Sequence, residues 1–217
     1  MSFPLLVLDL DGTLVDSLAD LTAALNRLLG GEGLASLTTA EVRPMVGDGT
    51  AKLVERALAV RGHMSRPDDV SAFVTDYTAH AAVETRAYPG VKETLGTLRA
   101  AGWRFAICTN KPEAAAKSLL AALGLASWFA AIGGGDSFPV RKPDPGHLLA
   151  TISAADGDPA RAVMAGDHDN DIAAAKAASM PGIFAAWGYG QVPPGLDPKT
   201  VARRFTDLAV IAPRLIV

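Results

Sequence analysis

The sequence predicts an α/β fold with a parallel sheet and a small helical domain inserted after the first strand. Two observations carry this prediction. Over most of the chain, short apolar runs of the length of buried strands alternate with segments of helical period. Residues 17–87 interrupt the alternation with helical patterns alone. Alternating strands and helices are typical of a doubly wound sheet that carries helices on both faces.

Each strand of the sheet is predicted by one apolar run. The first is 5–8, and the later ones are 105–108, 130–132, 162–165 and 182–186. Helical patterns separate or follow these runs at 91–101, 112–123, 146–153 and 172–178. We expect the tail to add an edge strand near Phe205 and a last helix near Leu208.

The segment 17–87 predicts a helical cap domain. Leu18, Leu21, Leu25 and Leu28 recur at helical spacing, and Pro89-Gly90 marks the return to the sheet. We therefore expect a core domain made of residues 1–16 and 88–217, and a cap domain of residues 17–87. The alternative is a long helical excursion that has no role as a cap.

The composition excludes several classes of protein. Of the 217 residues, 49% are hydrophobic and 20% charged, which is typical of a globular chain. The formal net charge of −3 and the lack of a basic stripe argue against nucleic-acid binding. No apolar run approaches the length of a membrane span, and the single cysteine, Cys108, excludes an internal disulfide. We expect a cytoplasmic monomer or homodimer.

The first motif comes directly after the first strand. Asp9 and Asp11 stand two residues apart and are followed by Gly12. Ligands of open α/β sheets bind at the carboxyl ends of the strands. Two carboxylates there would repel each other, and a cation between them removes the repulsion. Oxygen ligands of this kind suit Mg²⁺.

Three later strands also end in polar residues. Thr109 and Asn110 follow the second, where they could bind an anion or simply cap a helix. Lys142 lies between prolines after a glycine-rich loop, and is either fixed for phosphate or solvated. Asp167 follows a fourth strand and could complete the Mg²⁺ site. Asp171 either supports that site or is a first-turn helix charge.

The four motifs in this order resemble those of the haloacid dehalogenase superfamily, in its phosphatase branch. The resemblance covers essentially the whole chain. It implies a Rossmann-like core with a parallel sheet and a small helical cap domain after the first strand. It further implies that Asp9 is the nucleophile and that Asp11 is the general acid and base, because dehalogenases lack an acid at this position.

The resemblance also implies the roles of the other residues. Mg²⁺ is expected to bind the side chains of Asp9 and Asp167 and the backbone carbonyl of Asp11. The phosphoryl oxygens are expected to be held by three residues, Thr109, Asn110 and Lys142. Asp171 is expected to orient Lys142 or to bind a metal-bound water.

Three stretches look like those of bacterial phosphoglycolate phosphatases: residues 16–21, 46–58 and 134–145. This implies a small phosphorylated metabolite, 2-phosphoglycolate, as the substrate. The loop Gly47-Asp48-Gly49 could bring its backbone close to this substrate, with Gly47 facing it, or it could be an ordinary turn between helices. Arg43 and Lys52 flank this loop, where they could meet a substrate carboxylate or remain solvated. Activity on a sugar phosphate such as N-acetylmuramic acid 6-phosphate, on pyrophosphate, or as a β-phosphoglucomutase stays open.

Two other classes are less well supported. A dinucleotide-binding protein is disfavoured because no Gly-x-Gly-x-x-Gly follows the first strand. A catalytically silent interaction module is disfavoured because no structural requirement explains the joint presence of Asp9, Asp11, Thr109, Lys142 and Asp167.

Overall fold

The computed structural model describes residues 3–80 and 82–216. Residues 1, 2, 81 and 217, which belong to the predicted domains, lie outside the described residues. Its strands are β1 (Leu5–Leu8), β2 (Val15–Asp16), β3 (Arg86–Ala87), β4 (Arg104–Cys108), β5 (Ala131–Gly133), β6 (Ala162–Gly166), β7 (Gly182–Ala185) and β8 (Val201–Ala202). Its α-helices are α1 (Leu18–Gly31), α2 (Thr39–Val42), α3 (Thr50–Ala59), α4 (Pro67–His80), α5 (Val91–Ala100), α6 (Glu113–Ala122), α7 (Pro145–Ala154), α8 (Asp169–Ala177) and α9 (Leu208–Leu215). No helix within these residues combines the length and apolarity needed to cross a lipid bilayer.

Six strands form one parallel sheet in the order β5-β4-β1-β6-β7-β8, which confirms the predicted fold class. Strand β1 is central, and all four of its residues are buried. Leu8 stands opposite Ile107 of β4 on one side and Ala165 of β6 on the other. The carboxyl ends of these three strands therefore meet at one edge of the sheet, where the direction of winding reverses and ligands bind.

The edge strand predicted near Phe205 is present in the tail, but it ends three residues before Phe205. The edge strand is β8, where Ala202 pairs with Ala185, and Phe205 instead begins a short 3-10 turn. The carboxylate of Asp207 accepts hydrogen bonds from the backbone N–H groups of Arg203 and Arg204, at 2.9 and 3.0 Å. These bonds turn the chain out of the strand before Phe205. The last helix, α9, begins at Leu208 as expected.

The segment between β1 and α5 contains four helices, but it is not wholly helical. Strands β2 and β3 pair antiparallel, with Val15 opposite Ala87. The outgoing and returning connections of the helical segment therefore run side by side. A pair of two-residue strands is too short to produce a recognisable period, which explains why the sequence pattern missed it.

Asp20 fastens α1 to the returning connection. Its buried carboxylate accepts hydrogen bonds from the backbone N–H groups of Glu84 and Thr85 and from the Thr85 hydroxyl, at 2.7 to 3.1 Å. These donors supply the hydrogen bonds that a buried carboxylate requires, and no ion pair joins Asp20 to a cation among the residues that the structure describes. This cluster fixes the base of the helical segment next to the paired strands β2 and β3.

Replacing Asp20 is expected to destabilise the protein. Asp20→Ala would leave the Thr85 donors buried without an acceptor, at a cost of about 1–3 kcal/mol in the free energy of unfolding. Urea denaturation measures this cost. The matched control is Asp76→Ala, which removes the exposed ion pair with Arg27 and should cost less than about 1 kcal/mol. Equal losses in the two variants would contradict the anchoring role of Asp20.

Candidate active site

The structure brings the predicted residues together at the carboxyl edge of the sheet. Asp9, Thr109 and Asp167 directly follow β1, β4 and β6, and all three are buried. The backbone N–H of Asp9 donates to the carbonyl of Ala165 at 2.9 Å, which extends the β1–β6 pairing by one residue. The sheet register therefore sets the relative positions of these side chains.

Lys142 reaches the same point from the loop before α7. Its buried Nζ lies 2.9 Å from Asp9 Oδ1 and donates to Asp171 Oδ1 at 2.6 Å. Burial by itself would lower the pKa of Lys142, but the charges of Asp171 and Asp9 outweigh it and raise the pKa above its usual range. The loop is held by His147, whose Nδ1 accepts the backbone N–H of Lys142 at 3.2 Å. Asp171 is thus placed to orient Lys142.

Asp9, Asp167, His168 and Asp171 offer ligand atoms that all lie within 4.8 Å of one another. Asp167 is fixed by the Thr13 hydroxyl, which donates to Oδ1 at 2.9 Å, and by the backbone N–H of Tyr189, at 2.7 Å from Oδ2. Rigid, closely spaced carboxylate oxygens are suitable ligands for a hard divalent cation.

The charge of this cluster is incompletely compensated. Burial raises the pKa of Asp9 to about 7; the charge of Lys142 opposes the rise, and those of Asp171 and Asp167 add to it. Asp9 Oδ1 shares its neighbouring cation, because Lys142 Nζ lies 2.9 Å from it and 2.6 Å from Asp171 Oδ1. A carboxylate in this state gains stability from a cation, so the residues present fit a divalent metal ion.

Asp11 is in a different environment from Asp9. Its carboxylate accepts hydrogen bonds from Lys111 Nζ at 3.0 and 3.1 Å and from the Ser17 hydroxyl. Lys111 also donates to the hydroxyl of Tyr77 on α4, at 2.8 Å. Burial alone would lower the pKa of Lys111, but Asp11 and Tyr77 raise it above its ordinary value.

Lys111 was missed by the sequence analysis. It follows Thr109-Asn110 directly and precedes Pro112, and the whole turn was interpreted as an anion site supplied by its hydroxyl and N–H groups. Its position just after a strand end, next to Thr109 and Asn110, was a usable signal. Its pairing with Asp11, 100 residues away, could not be predicted from local pattern.

The glycine loop is held against the core through the carbonyl of Gly47. Asn110 Nδ2 donates to this carbonyl at 3.0 Å, and Asn170 Nδ2 does so at 2.9 Å. Asn110 Nδ2 also donates to the carbonyl of Lys142 at 3.0 Å. The amide nitrogen of Asn110 therefore links the glycine loop to the loop that carries Lys142. The Thr109 hydroxyl accepts a hydrogen bond from the backbone N–H of Lys111 at 3.2 Å, and Thr109 lines the cavity described below.

A cavity of about 40 Å³ separates the sheet edge from the helical segment. Asp9, Asp11, Thr109, Asn110 and Lys111 line it from the sheet side. Its opposite wall comes from the glycine loop and from helices α1, α3 and α4, and includes Leu21, Gly47, Leu53, Phe73 and Tyr77. The cavity therefore has a polar, charged floor and a mainly apolar roof.

Neither cation that flanks the glycine loop lines this cavity. Arg43 donates to the carbonyl of Gly188 at 3.0 Å and lies over the ring of Tyr189. Lys52 pairs with Glu55 at 2.8 Å on the exposed side of α3. Lys52 is therefore solvated rather than facing the cavity. Arg43 packs against the loop after β7.

Residues 3–179 match the family of haloacid dehalogenase-like hydrolases. The chain is 44% identical to a phosphoglycolate phosphatase of Agrobacterium fabrum (strain C58) over 98% of its own length and 92% of the relative's. It is 43% identical to a phosphoglycolate phosphatase of Rhodospirillum rubrum, over 86% of its length and 81% of the relative's.

The fold is also similar to solved structures. A crystal structure of a predicted phosphoglycolate phosphatase from Haemophilus somnus 129pt superposes with a TM-score of 0.86 at 30% identity, covering 97% of this chain and 98% of that one. CbbY from Rhodobacter sphaeroides, solved in complex with phosphate, gives a TM-score of 0.80 at 24% identity, with 95% and 96% of the two chains covered. The second similarity concerns the fold alone.

The contact between Gly47 and His168 is testable by substitution. Gly47 has a φ of +119°, and a Cβ there would lie 2.5 Å from the His168 ring. Gly47→Ala is therefore expected to lower the free energy of unfolding by about 1–3 kcal/mol more than Gly33→Ala, because overpacking adds to backbone strain. Gly33 has a φ of +71° with nothing within 4 Å, so it reports the strain alone.

Urea denaturation of both variants measures the difference. Adding His168→Ala to Gly47→Ala removes the ring and should restore most of the extra loss, as coupled neighbours do in a double-mutant cycle. Equal losses for the two glycine variants would mean that the loop does not rest on His168.

Proposed function

The chain belongs to the haloacid dehalogenase-like hydrolases, and from that premise we propose that it is a Mg²⁺-dependent phosphatase acting on 2-phosphoglycolate through an aspartyl-phosphate. The observation that carries the proposal is the separation of the two first-motif acids. Asp9 lies with Lys142 in the carboxylate cluster, whereas Asp11 pairs with Lys111 beside the cavity. Two carboxylates in different environments can take different roles in one reaction.

Asp9 is the nucleophile in this proposal. Its carboxylate lines the cavity in which a phosphate ester would bind, and Lys142 Nζ lies 2.9 Å from its Oδ1. Attack on phosphorus forms a bond from the Asp9 carboxylate and breaks the bond to the leaving alcohol. Lys142 lies next to Asp9 and would neutralise charge on the phosphoryl oxygens. The Thr109 hydroxyl and the backbone of Asn110 would hold the same oxygens.

Asp11 serves as the acid and then as the base. It would give a proton to the departing glycolate and later take one from the water that hydrolyses the aspartyl-phosphate. Its contacts with Lys111 and Ser17 fix the carboxylate at the edge of the cavity. A dehalogenase has no need of such an acid, because halide leaves without a proton.

Mg²⁺ would be held by Asp9 and Asp167, with the backbone carbonyl of Asp11 as a further ligand. When bound, it screens the charge of the nucleophile and the phosphate, which would otherwise repel each other. Asp171 would keep Lys142 in place rather than bind the ion directly. His168 stands 3.3 Å from Asp167 Oδ2 and would contribute positive charge when protonated.

Helices α1 to α4 act as a cap domain in this proposal, made of residues 17–87 above a core of residues 1–16 and 88–217. The cavity under them combines a charged floor with a mainly apolar roof, and the substrate proposed for it is a two-carbon ester. The names of the relatives support the same choice. Gly47 lines the cavity and would bring its backbone close to the substrate.

The function is tested by kcat/KM with Mg²⁺ on 2-phosphoglycolate, N-acetylmuramic acid 6-phosphate, pyrophosphate and glucose 6-phosphate. We expect a preference for 2-phosphoglycolate of roughly 10²-fold, as binding contacts alone can supply. Asp9→Asn should be inactive, and Asp11→Ala should lose roughly 10²-fold or more in kcat. The control Asp68→Asn changes an exposed acid of α4 and should be fully active.

The outcomes separate the mechanism from the substrate. A flat or sugar-favouring profile would keep the phosphatase mechanism and reject 2-phosphoglycolate. Activity of Asp9→Asn equal to that of the wild type would reject the nucleophile. Wild-type turnover in Asp11→Ala would reject the acid–base role.

A further inference from the structure

Lys111 is a buried cation at the boundary between the sheet edge and the helical segment. Its side chain is 5% exposed, and its Nζ contacts Asp11 on one side and the Tyr77 hydroxyl of α4 on the other. Nζ also lies 4.1 Å from the centre of the Tyr77 ring. Burying an ammonium group is costly unless partners compensate it. Asp11 and the Tyr77 hydroxyl are those partners, and they hold Lys111 Nζ at the cavity wall.

Lys142 pairs with Asp9 and Arg141 lies close to Gly49, but neither of these cations is among the described residues that line the cavity. Among the described residues that line it, Lys111 is the only lysine, arginine or histidine. Arg43 and Lys52, the candidates from the sequence, are engaged with Gly188 and Glu55 outside the cavity. A substrate that carries a second anionic group can therefore place it next to only one cationic side chain of the cavity wall.

Tyr77 adds a second donor at the same place. Its hydroxyl oxygen accepts the hydrogen bond from Lys111, which leaves the hydroxyl hydrogen to be donated elsewhere. Tyr77 also lines the cavity and is stacked on Phe73 of the same helix, with ring centres 5.8 Å apart. An ammonium and an adjacent hydroxyl donor are a suitable pair for a carboxylate.

We propose that Lys111 and Tyr77 form a carboxylate subsite that makes the enzyme selective for short phosphomonoesters bearing a carboxylate. This inference rests on the phosphatase function proposed above and identifies the residues that choose its substrate. Lys111 is a specificity-determining residue on the sheet side, and Tyr77 supplies the contact from the cap. The substrate carboxylate joins the Asp11 carboxyl group as a second partner of the same ammonium group.

The test compares 2-phosphoglycolate with 2-hydroxyethyl phosphate, which has the same two-carbon chain but a hydroxymethyl group in place of the carboxylate. The measured quantity is the ratio of kcat/KM for the two esters. In Lys111→Met this ratio should fall by roughly ten- to a hundredfold, mainly through the KM for 2-phosphoglycolate, because a hydrogen bond to a charged group is lost. Taking the ratio cancels any effect of the substitution on Asp11 that both substrates share.

Two further variants keep the test decisive if Lys111→Met fails to fold. Lys111→Arg retains the charge. The logarithm of its kcat/KM ratio should therefore stay above half of the wild-type value. Tyr77→Phe removes only the hydroxyl and should lower the ratio severalfold. The matched control is Lys52→Met, an exposed lysine of α3 that pairs with Glu55, for which the ratio should not change.

An equal loss of activity on both esters in Lys111→Met would overturn the proposal, because the lysine would then serve Asp11 alone. The proposal would also be overturned if the wild type hydrolysed the two esters with equal kcat/KM. If Asp9→Asn were inactive in the same experiment, the proposed phosphatase mechanism would still stand. If the wild type hydrolyses neither ester, the proposed function fails, and this inference fails with it.

Discussion

An imbalance of buried charge dominates the carboxyl edge of the sheet. Four buried carboxylates meet there with two buried ammonium groups: Asp9, Asp11, Asp167, Asp171, Lys111 and Lys142. Each lysine bridges to one of the first-motif acids, Lys142 to Asp9 and Lys111 to Asp11. Burial, with the negative charges of Asp171 and Asp167 added to it, raises the pKa of Asp9 to about 7. Such a cluster is stable as carboxylates only with added positive charge, which a divalent cation supplies.

The same charged edge also holds the helical segment in place. The Gly47 carbonyl accepts hydrogen bonds from two core amides, and the Tyr77 hydroxyl accepts one from Lys111. Contacts from two separate parts of the segment therefore converge on the site. Any movement of the helices away from the sheet must break these bonds and expose Lys111 to water. The wall of the cavity is therefore complete only with the helical segment in this position.

Sequence pattern was sufficient for the sheet because its central strands are short, continuous apolar runs with polar residues at their ends. The same pattern located Asp9, Thr109 and Asp167, since parallel strands bring their carboxyl ends to one edge. It could not find β3, which is too short to have a period. It also missed Lys111, whose importance comes from contacts with Asp11 and Tyr77 that are distant in sequence. Long-range pairing of this kind is set by tertiary packing and leaves no local signal.

The most direct test of this account is calorimetric titration of Mg²⁺ into the wild type and Asp167→Asn at pH 7, with Asp68→Asn as the control. Asp167 is buried and already hydrogen-bonded by Thr13 and Tyr189, so the amide should preserve the fold while it removes one negative charge. The account predicts one Mg²⁺ per chain in the wild type and the control, and at least tenfold weaker binding in Asp167→Asn. No binding to the wild type at millimolar Mg²⁺, or equal binding to all three proteins, would contradict it.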